Sequence, residues 1–234
     1  MDPALAAAHQ WIDQALAAGP APECVTSSFQ SECVIVVHLL AARRPRIPVL
    51  FLDTGYHFPE TIAYRDRISA LWNLNLISLT PQLTVAQQES QFGILYQTAP
   101  DRCCGMRKVA PLFAALEGYS TWFTGLRREQ SKSRAGLEPA ADFKLPSGKV
   151  LRKISPLADW STRDVWRYLS QHNIPKLPLY DEGYTIKGVQ KLRMTDYKVP
   201  PPVFNLFVTS IKCTDEIEIH YDVFFALAED ASGK

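Results

Sequence analysis

The sequence predicts an α/β protein with a mostly parallel sheet flanked by helices. Helical and strand-like segments alternate over the first third of the chain, which is typical of βαβ units. The run 46–52 is apolar after its first residue, as expected of a strand covered by helices on both faces. The length of 234 residues suits one large domain, or one domain with an appendage.

The elements of the first third can be read in order. Apolar positions recur at helical spacing from residue 3 and stop at Gly19-Pro20, which ends the first helix. A proline near the first turn marks the start of another helix at Pro59. The pattern predicts helices over 3–18, 32–42 and 59–72, and strands over 46–52 and 75–79.

A run of hydroxyl residues precedes the second predicted helix. The side chains of Ser27, Ser28 and Ser31 can turn toward an anion, and the positive end of the helix would point at the same place. Ser27 and Gln30 fit an S-x-x-Q capping box, which predicts where the helix starts. A helix that is merely well capped would show the same residues, so this loop alone leaves both interpretations open.

The second half continues the alternation after a polar, glutamine-rich connector with some helix over 82–102. The capping signature Ser161-Thr-Arg-Asp164 opens a helix. The pattern predicts helices over 109–116 and 161–171, and strands over 121–124 and 150–157.

Two adjacent cysteines, Cys103 and Cys104, lie between Arg102 and the pair Arg107-Lys108. Cationic neighbours favour thiolates, and thiolates bind iron–sulfur clusters or zinc, or carry out redox chemistry. We therefore expect a reactive pair, although an accidental pair in a helix remains open. Cys24 and Cys33 have apolar surroundings and are expected to pack as small hydrophobes.

A basic loop follows the strand predicted at 121–124. It carries Arg127, Arg128, Lys132 and Arg134, and guanidinium groups suit bidentate contacts to phosphate or sulfate oxygens. A solvated surface loop is the alternative. Asp53-Thr-Gly55, the hydroxyl loop and this basic loop would all lie at the carboxyl edge of the sheet, where such folds bind ligands. Together they describe a pocket for a nucleotide with an anionic tail.

Composition excludes several classes of function. The formal net charge is +1, so no general basic field attracts nucleic acid or a membrane surface. No apolar run is long enough to span a bilayer, and the N-terminus lacks the layout of a secretory signal. An odd number of cysteines, five, argues against a disulfide scaffold. We therefore expect a cytoplasmic protein.

Five stretches with a further tract resemble the assimilatory sulfonucleotide reductases, that is, adenylyl-sulfate and phosphoadenylyl-sulfate reductases. They appear in the family's order, cover about residues 20–185, and are much more specific together than singly. The stretches are Ser27–Glu32, Leu52–Thr61, Cys103–Leu112, Gly125–Ser131 and Pro156–Trp160, and the further tract is Asp164–Tyr184.

The resemblance implies an adenine nucleotide α-hydrolase-like fold of the PP-loop type. A modified phosphate loop would lie at 27–31, the Asp53-Thr-Gly55 turn beside the adenosine, and the loop 127–134 around the phosphosulfate. The implied substrate-binding residues are Ser27, Ser28, Phe29, Ser31, Leu52, Asp53, Thr54, Gly55, Lys108, Gly125, Arg127, Arg128, Gln130, Ser131 and Arg134.

The cysteine pair resembles the branch of the family that carries a 4Fe-4S cluster and prefers adenylyl sulfate to its 3′-phosphorylated form. In that branch a cysteine thiolate attacks the substrate sulfur, AMP leaves, and thioredoxin or glutaredoxin releases sulfite. The resemblance implies Cys103 and Cys104 as cluster ligands and leaves a homo-oligomer open. Cationic residues around the departing phosphate and a nucleophilic thiolate make chemical sense of it.

The resemblance stops near Thr185. Val189 and Leu192 occupy the places of the family's second cysteine pair, and the C-terminal motif with the nucleophile is missing. A 4Fe-4S cluster of this type needs four thiolates, so only half of the ligands match. Cys213 is the one C-terminal thiol, and an ordinary cysteine after a strand explains it better. No catalytic residue can be assigned.

We therefore expect a sulfonucleotide-binding reductase domain over 1–185 and a segment of unknown character over 186–234. The tail itself predicts strands over 203–211 and 216–223, with a helix over 224–229. It is either a divergent unit or the product of a shifted reading frame.

Two other functions compete with reduction. One is a sulfonucleotide- or adenine-nucleotide-binding protein without reductase activity, since only a reductase needs a mobile C-terminal thiol. The other is an enzyme that cleaves ATP to AMP and pyrophosphate. Such enzymes usually have a Ser-Gly-Gly-x-Asp-Ser loop, whereas this chain has Ser27-Ser-Phe-Gln-Ser31.

Overall fold

The computed structural model describes residues 2–18 and 22–181 in full, and the backbone of 204–208 and 224–228. The helices are α1 (Pro3–Ala18), α2 (Ser31–Ala41), α3 (Pro59–Trp72), α4 (Val85–Phe92), α5 (Leu95–Thr98), α6 (Pro100–Cys104), α7 (Ala110–Leu116) and α8 (Thr162–Gln171). The strands are β1 (Glu23–Thr26), β2 (Pro48–Leu52), β3 (Asn75–Leu79), β4 (Thr121–Phe123), β5 (Ala140–Lys144), β6 (Val150–Ile154), β7 (Phe204–Val208) and β8 (Phe224–Ala228).

The main sheet has six strands in the order β3-β2-β1-β4-β6-β5. All neighbouring pairs are parallel except β5 and β6, which form an antiparallel hairpin at one edge. This confirms the predicted α/β class. Because β1 lies between β2 and β4, the loops that follow these three strands meet at one edge.

Alternation along the strands explains how the sheet is covered. Val25 and Phe51 point toward α1, α2, α3 and α8, whereas Leu50 and Trp122 point toward α5, α6 and α7. Successive side chains of a strand face opposite sides, so a strand buried on both sides must be apolar throughout. The continuous apolar run of β2 has this cause.

Two strands of the main sheet were not predicted from the sequence. The central strand β1 is only four residues long, too short for a periodic signal. The edge strand β5 is partly exposed and includes polar residues, so it does not look like the buried strands. It turns back into β6 near Gly148, whose φ of +92° suits glycine.

The predicted capping box of the second helix is wrong. Helix α2 starts at Ser31 and its N-cap, Gln30, makes no side-chain capping hydrogen bond. The hydroxyl of Ser27 instead accepts a hydrogen bond from the backbone N–H of Phe29 at 3.1 Å, which makes a local turn of the loop. The capping box predicted at Ser161 and Asp164 is confirmed.

The cysteine pair lies at the end of a helix. Cys103 and Cys104 end α6, and a π-helical turn over Gly105–Val109 joins it to α7. Pro111 has no N–H to give to the carbonyl of Arg107, so the regular ladder cannot pass through this point.

In the tail, β7 confirms part of the strand predicted at 203–211. The helix predicted at 224–229 is wrong, because residues 224–228 form β8 and pair with β7 in an antiparallel ribbon. The strand predicted at 216–223, the positions of Val189 and Leu192, and Cys213 lie outside the described residues.

No helix within the described ranges is both long and apolar enough to cross a membrane.

The loop after β4 approaches α2 without room for a side chain. A Cβ atom on Gly125 would lie 2.9 Å from the backbone nitrogen of Cys33 and 3.0 Å from its sulfur. We expect Gly125→Ala to lower the free energy of unfolding by about 1–3 kcal/mol, as overpacking does. Urea denaturation measures it. Gly136→Ala is the matched control, since a Cβ there meets nothing within 4 Å. Equal effects of the two substitutions would contradict the close approach.

Candidate functional site

The hydroxyl loop between β1 and α2 is buried. Ser27, Ser28, Phe29 and Ser31 are all nearly inaccessible, so the loop is part of the interior and not a surface turn. The Ser28 hydroxyl donates to the sulfur of Cys33 at 3.6 Å. Phe29 has a φ of +60°, a left-handed conformation that is unusual for a bulky residue.

Ser31 is the first residue of α2 and has an unsatisfied hydroxyl. Its backbone N–H donates to the hydroxyl of Tyr180 at 3.3 Å. Its Oγ is buried and has no hydrogen-bond partner among the described residues. A buried polar group without a partner costs about 1–3 kcal/mol. Because this group lies at the positive end of a helix, a bound anion is the natural partner.

The Asp53-Thr-Gly55 turn follows β2, as predicted. A carboxylate oxygen of Asp53 accepts a hydrogen bond from the N–H of Gly55 at 3.1 Å. Gly55 has a φ of +77°, and a Cβ there would lie 2.8 Å from Val85 and 3.0 Å from Arg107. The glycine is therefore required twice, by its conformation and by its neighbours.

Arg107 joins this turn to the cysteine helix. Its Nε donates to the Thr54 carbonyl at 2.5 Å, and its Nη1 donates to the Gln88 side chain at 3.0 Å and to the Leu83 carbonyl at 3.3 Å. Gln88 also reaches the sulfur of Cys103 at 3.9 Å. Gln88 was missed in the sequence because it sits in an unremarkable glutamine-rich stretch.

Cys103 and Cys104 are both buried, and Cys103 is a free thiol. Burial raises the pKa of Cys103, and the Gln88 amide with the cations Arg107 and Lys108 opposes this only in part. The expectation of a favoured thiolate at Cys103 is therefore wrong, because desolvation outweighs the basic neighbours. Within residues 2–18 and 22–181, no group of three or more histidine, cysteine or acidic residues could hold a metal ion.

The basic loop begins with a fully buried arginine. Arg127 donates from Nε and Nη2 to one carboxylate oxygen of Glu32, at 3.0 and 2.8 Å. Its Nη1 donates to the Trp160 carbonyl at 2.9 Å and to Glu129 at 3.2 Å. Nη2 also reaches the Thr162 hydroxyl at 3.5 Å. All five N–H groups of this guanidinium thus have a protein partner.

Glu32 is the buried counterpart of this arginine, in the first turn of α2. Burial raises the pKa of its carboxyl above the ordinary value, and the Arg127 guanidinium and the Gln130 amide oppose this only in part. Removing one partner of such a pair costs about 3–5 kcal/mol because it leaves a buried charge. An acidic residue within an apolar helix was the sequence signal for it.

The rest of the basic loop is arranged around Gln130. Its side-chain oxygen accepts from the Arg127 backbone at 2.9 Å and from Arg134 at 2.5 Å, and its amide donates to Glu32 at 3.2 Å. Arg134 is buried, whereas Arg128 is partly exposed, donates to the Leu137 carbonyl and pairs with Asp159.

The structure brings the predicted site residues together in two groups. The first turn of α2 meets the loop after β4 through Gly125 and Arg127, and the Asp53 turn meets the cysteine helix through Arg107. Lys108 is buried, and Ser131 pairs with the Ser133 hydroxyl at 2.8 Å. Leu52 ends β2, and its carbonyl is 2.8 Å from Nε2 of His57.

The burial of His57 predicts that the free energy of unfolding depends on pH. A carbonyl can only accept, so Nε2 of His57 carries a proton. Burial lowers the pKa of His57 below its ordinary 6.5. Unfolded chains therefore take up a proton that the folded chain resists, and stability is lost as pH falls through 6.5 toward the folded pKa.

We expect His57→Gln to make the free energy of unfolding less dependent on pH between 7 and 5. Chemical denaturation at several pH values measures this slope. The slope should shrink but not vanish, because burial also lowers the pKa of His38. Parallel pH profiles for the wild type and the variant would contradict the assignment.

The chain is similar in sequence to proteins that are named phosphosulfate reductases. Residues 23–191 match the phosphoadenosine phosphosulfate reductase domain. An adenosine 5′-phosphosulfate reductase from Streptomyces coelicolor is 46% identical over 70% of this chain and 68% of its own length. A phosphoadenosine 5′-phosphosulfate reductase from Xanthomonas axonopodis pv. citri is 40% identical over 77% of this chain and 75% of its own.

Solved structures share the fold at low identity. The phosphoadenylyl-sulfate reductase from Candida auris superposes with a TM-score of 0.66 at 22% identity, over 76% of this chain and 86% of that one. The FMN adenylyltransferase from Candida glabrata gives 0.55 at 16% identity, over 77% and 58%. These likenesses confirm the PP-loop-like nucleotide-binding fold, and the match over 23–191 shows more: the chain belongs to the phosphoadenosine phosphosulfate reductase domain family.

Proposed function

We propose that this chain is an oxidoreductase that acts on sulfur, binding a sulfonucleotide and reducing it in sulfate assimilation. The names of its relatives, adenosine 5′-phosphosulfate and phosphoadenosine 5′-phosphosulfate reductase, support this class of reaction. The observation that carries the binding step is the buried hydroxyl of Ser31 at the start of α2, which has no hydrogen-bond partner in the described part of the chain. From it we infer an anion-binding position beside the hydroxyl loop.

The substrate would lie across the edge where β1, β2 and β4 end. Its phosphosulfate would face the start of α2 and the basic loop, and its adenosine would lie near Asp53-Thr-Gly55. A thiolate would attack the sulfur and form an S–S bond while the O–S bond to the nucleotide breaks, so that AMP or adenosine 3′,5′-bisphosphate leaves. A dithiol such as thioredoxin or glutaredoxin would then release sulfite and become a disulfide.

The choice between the two substrates depends on the 3′-phosphate. The relatives carry both names, so their names support either one. The adjacent Cys103 and Cys104 favour adenylyl sulfate through the resemblance described above. The proposed binding domain is 1–185, with 186–234 as a C-terminal segment of unknown character.

The described residues do not fit an iron–sulfur cluster. Such a cluster needs four thiolates, and no group of three or more possible ligands lies within the described ranges. A second candidate function is a sulfonucleotide-binding protein that does not reduce its ligand, since the family's C-terminal motif with the nucleophile is missing from the sequence. The two candidates share the pocket and differ only in the chemistry after binding.

Ser31→Ala tests the pocket. The hydroxyl makes no hydrogen bond to any residue that the structure describes, so its removal should leave the free energy of unfolding unchanged or raise it. Affinity for adenylyl sulfate, measured by calorimetric titration, should fall by about 1.5–3 kcal/mol, the range for a hydrogen bond to a charged group.

Thr61→Val is the matched control. Thr61, in the first turn of α3, has the other buried hydroxyl without a partner in the described part of the chain. Its loss should leave affinity for adenylyl sulfate unchanged. If Ser31→Ala bound as tightly as the wild type, the anion site would not lie at the start of α2.

The reaction itself is tested with wild-type protein purified without oxygen. Adenylyl sulfate, thioredoxin and dithiothreitol should yield one sulfite for each AMP, and iron analysis shows whether a cluster accompanies activity. Because the described ligand set is incomplete, we expect well under four irons per chain. Tight binding without sulfite release would establish the non-reducing candidate, and four irons would show that ligands come from outside the described residues.

A further inference from the structure

We infer that Arg127 is a positioning residue that cancels the charge of Glu32 beside the anion site and does not itself bind the substrate. The inference rests on the proposed function, since it concerns how the start of α2 accepts an anion. It assigns Arg127 a different role from the one that its place in a basic loop suggests.

First, the N–H donors of Arg127 already have partners within the protein. A guanidinium has five N–H groups, and here they meet Glu32 twice, the Trp160 carbonyl, Glu129 and the Thr162 hydroxyl. The side chain is 0% exposed. A substrate oxygen could bind it only by displacing one of these partners.

The second step is the position of Glu32. It is the second residue of α2, one residue after the unpartnered hydroxyl of Ser31. A carboxylate in the first turn weakens the field that a helix N-terminus presents to an anion, and it repels the anion directly. Left alone, Glu32 would oppose the binding step that the rest of the loop favours.

The third step is that Arg127 removes this conflict at short range. Two of its N–H groups hold one oxygen of Glu32 at 2.8 and 3.0 Å, so the buried pair carries no net charge. The same oxygen also receives the Gln130 amide, which ties the basic loop to α2. Within that loop, the exposed Lys132 and the partly exposed Arg128 reach solvent and can attract the substrate.

The test is a double-mutant cycle read by binding. Arg127→Met should weaken adenylyl sulfate binding roughly tenfold or more, because the carboxylate of Glu32 is then uncompensated. Affinity for uncharged adenosine should change little. Adding Glu32→Gln to Arg127→Met should restore most of the lost affinity, and Glu32→Gln alone should bind at least as tightly as the wild type.

Glu129→Gln combined with Arg127→Met is the matched control. Glu129 also contacts Arg127, at 3.2 Å, but it is an exposed carboxylate and its removal should restore nothing. Loss of affinity that neither double variant restores would make Arg127 a direct ligand and overturn the inference. An equal loss for adenosine and adenylyl sulfate would reduce Arg127 to a purely structural role and would also overturn it.

Arg127→Met leaves a buried charge and can fail to fold, so Arg127→Lys is made in parallel. The lysine keeps the charge without the fork of donors, and it should retain most of the affinity for adenylyl sulfate. Low affinity in a folded Arg127→Lys protein would count against charge cancellation.

A second readout separates this inference from the proposed function. Millimolar inorganic sulfate, compared with chloride at equal ionic strength, should raise the melting temperature of the wild type and of the Glu32→Gln/Arg127→Met variant, but not of Arg127→Met. A wild type that responds to sulfate and binds no sulfonucleotide would overturn the proposed function and leave the charge cancellation standing. A sulfate response that is equal in all three proteins would overturn the charge cancellation.

Discussion

A guanidinium that is buried away from water is stable only when its charge and all of its N–H groups are matched. Arg127 meets this condition with partners from α2, from its own loop and from the segment that leads into α8. Those three segments leave different strands, and Arg127 adds to the other hydrogen bonds and ion pairs that join them. The placement of the basic loop against the start of α2 therefore rests on Arg127 together with Gln130.

A second buried arginine, Arg107, joins two segments of the chain at the Asp53-Thr-Gly55 turn. Arg107 ties the Asp53-Thr-Gly55 turn to the helix that carries the cysteines, and Gln88 is shared between the arginine and Cys103. Movement of the cysteine helix would therefore displace the Asp53-Thr-Gly55 turn. Arg127 lies in a loop that predicts anion-binding groups and Arg107 lies beside cysteines that predict thiolates, yet both arginines are buried and bind protein groups.

The sequence was a good guide where burial is regular and a poor one where it is local. Helix α3 and strand β3 match their predicted bounds, and a proline marks the start of the helix. Strand β1 was missed because four residues carry no period, although it is the centre of the sheet. For the site, motif order located the loops correctly, but which arginine is buried depends on Glu32, which is ninety-five positions away in the chain. Charge and spacing along a chain cannot give that answer, because burial is decided by partners distant in sequence.

The left-handed backbone of Phe29 has a consequence for how a ligand would meet this loop. A bulky residue in that conformation is strained by about 1–3 kcal/mol, and here it is held by packing of its ring against Phe51 at 5.9 Å. The strain is incurred when the chain folds, not when a ligand arrives. The loop is thus preorganised, and association would require little ordering of the backbone, which favours affinity without any additional contact.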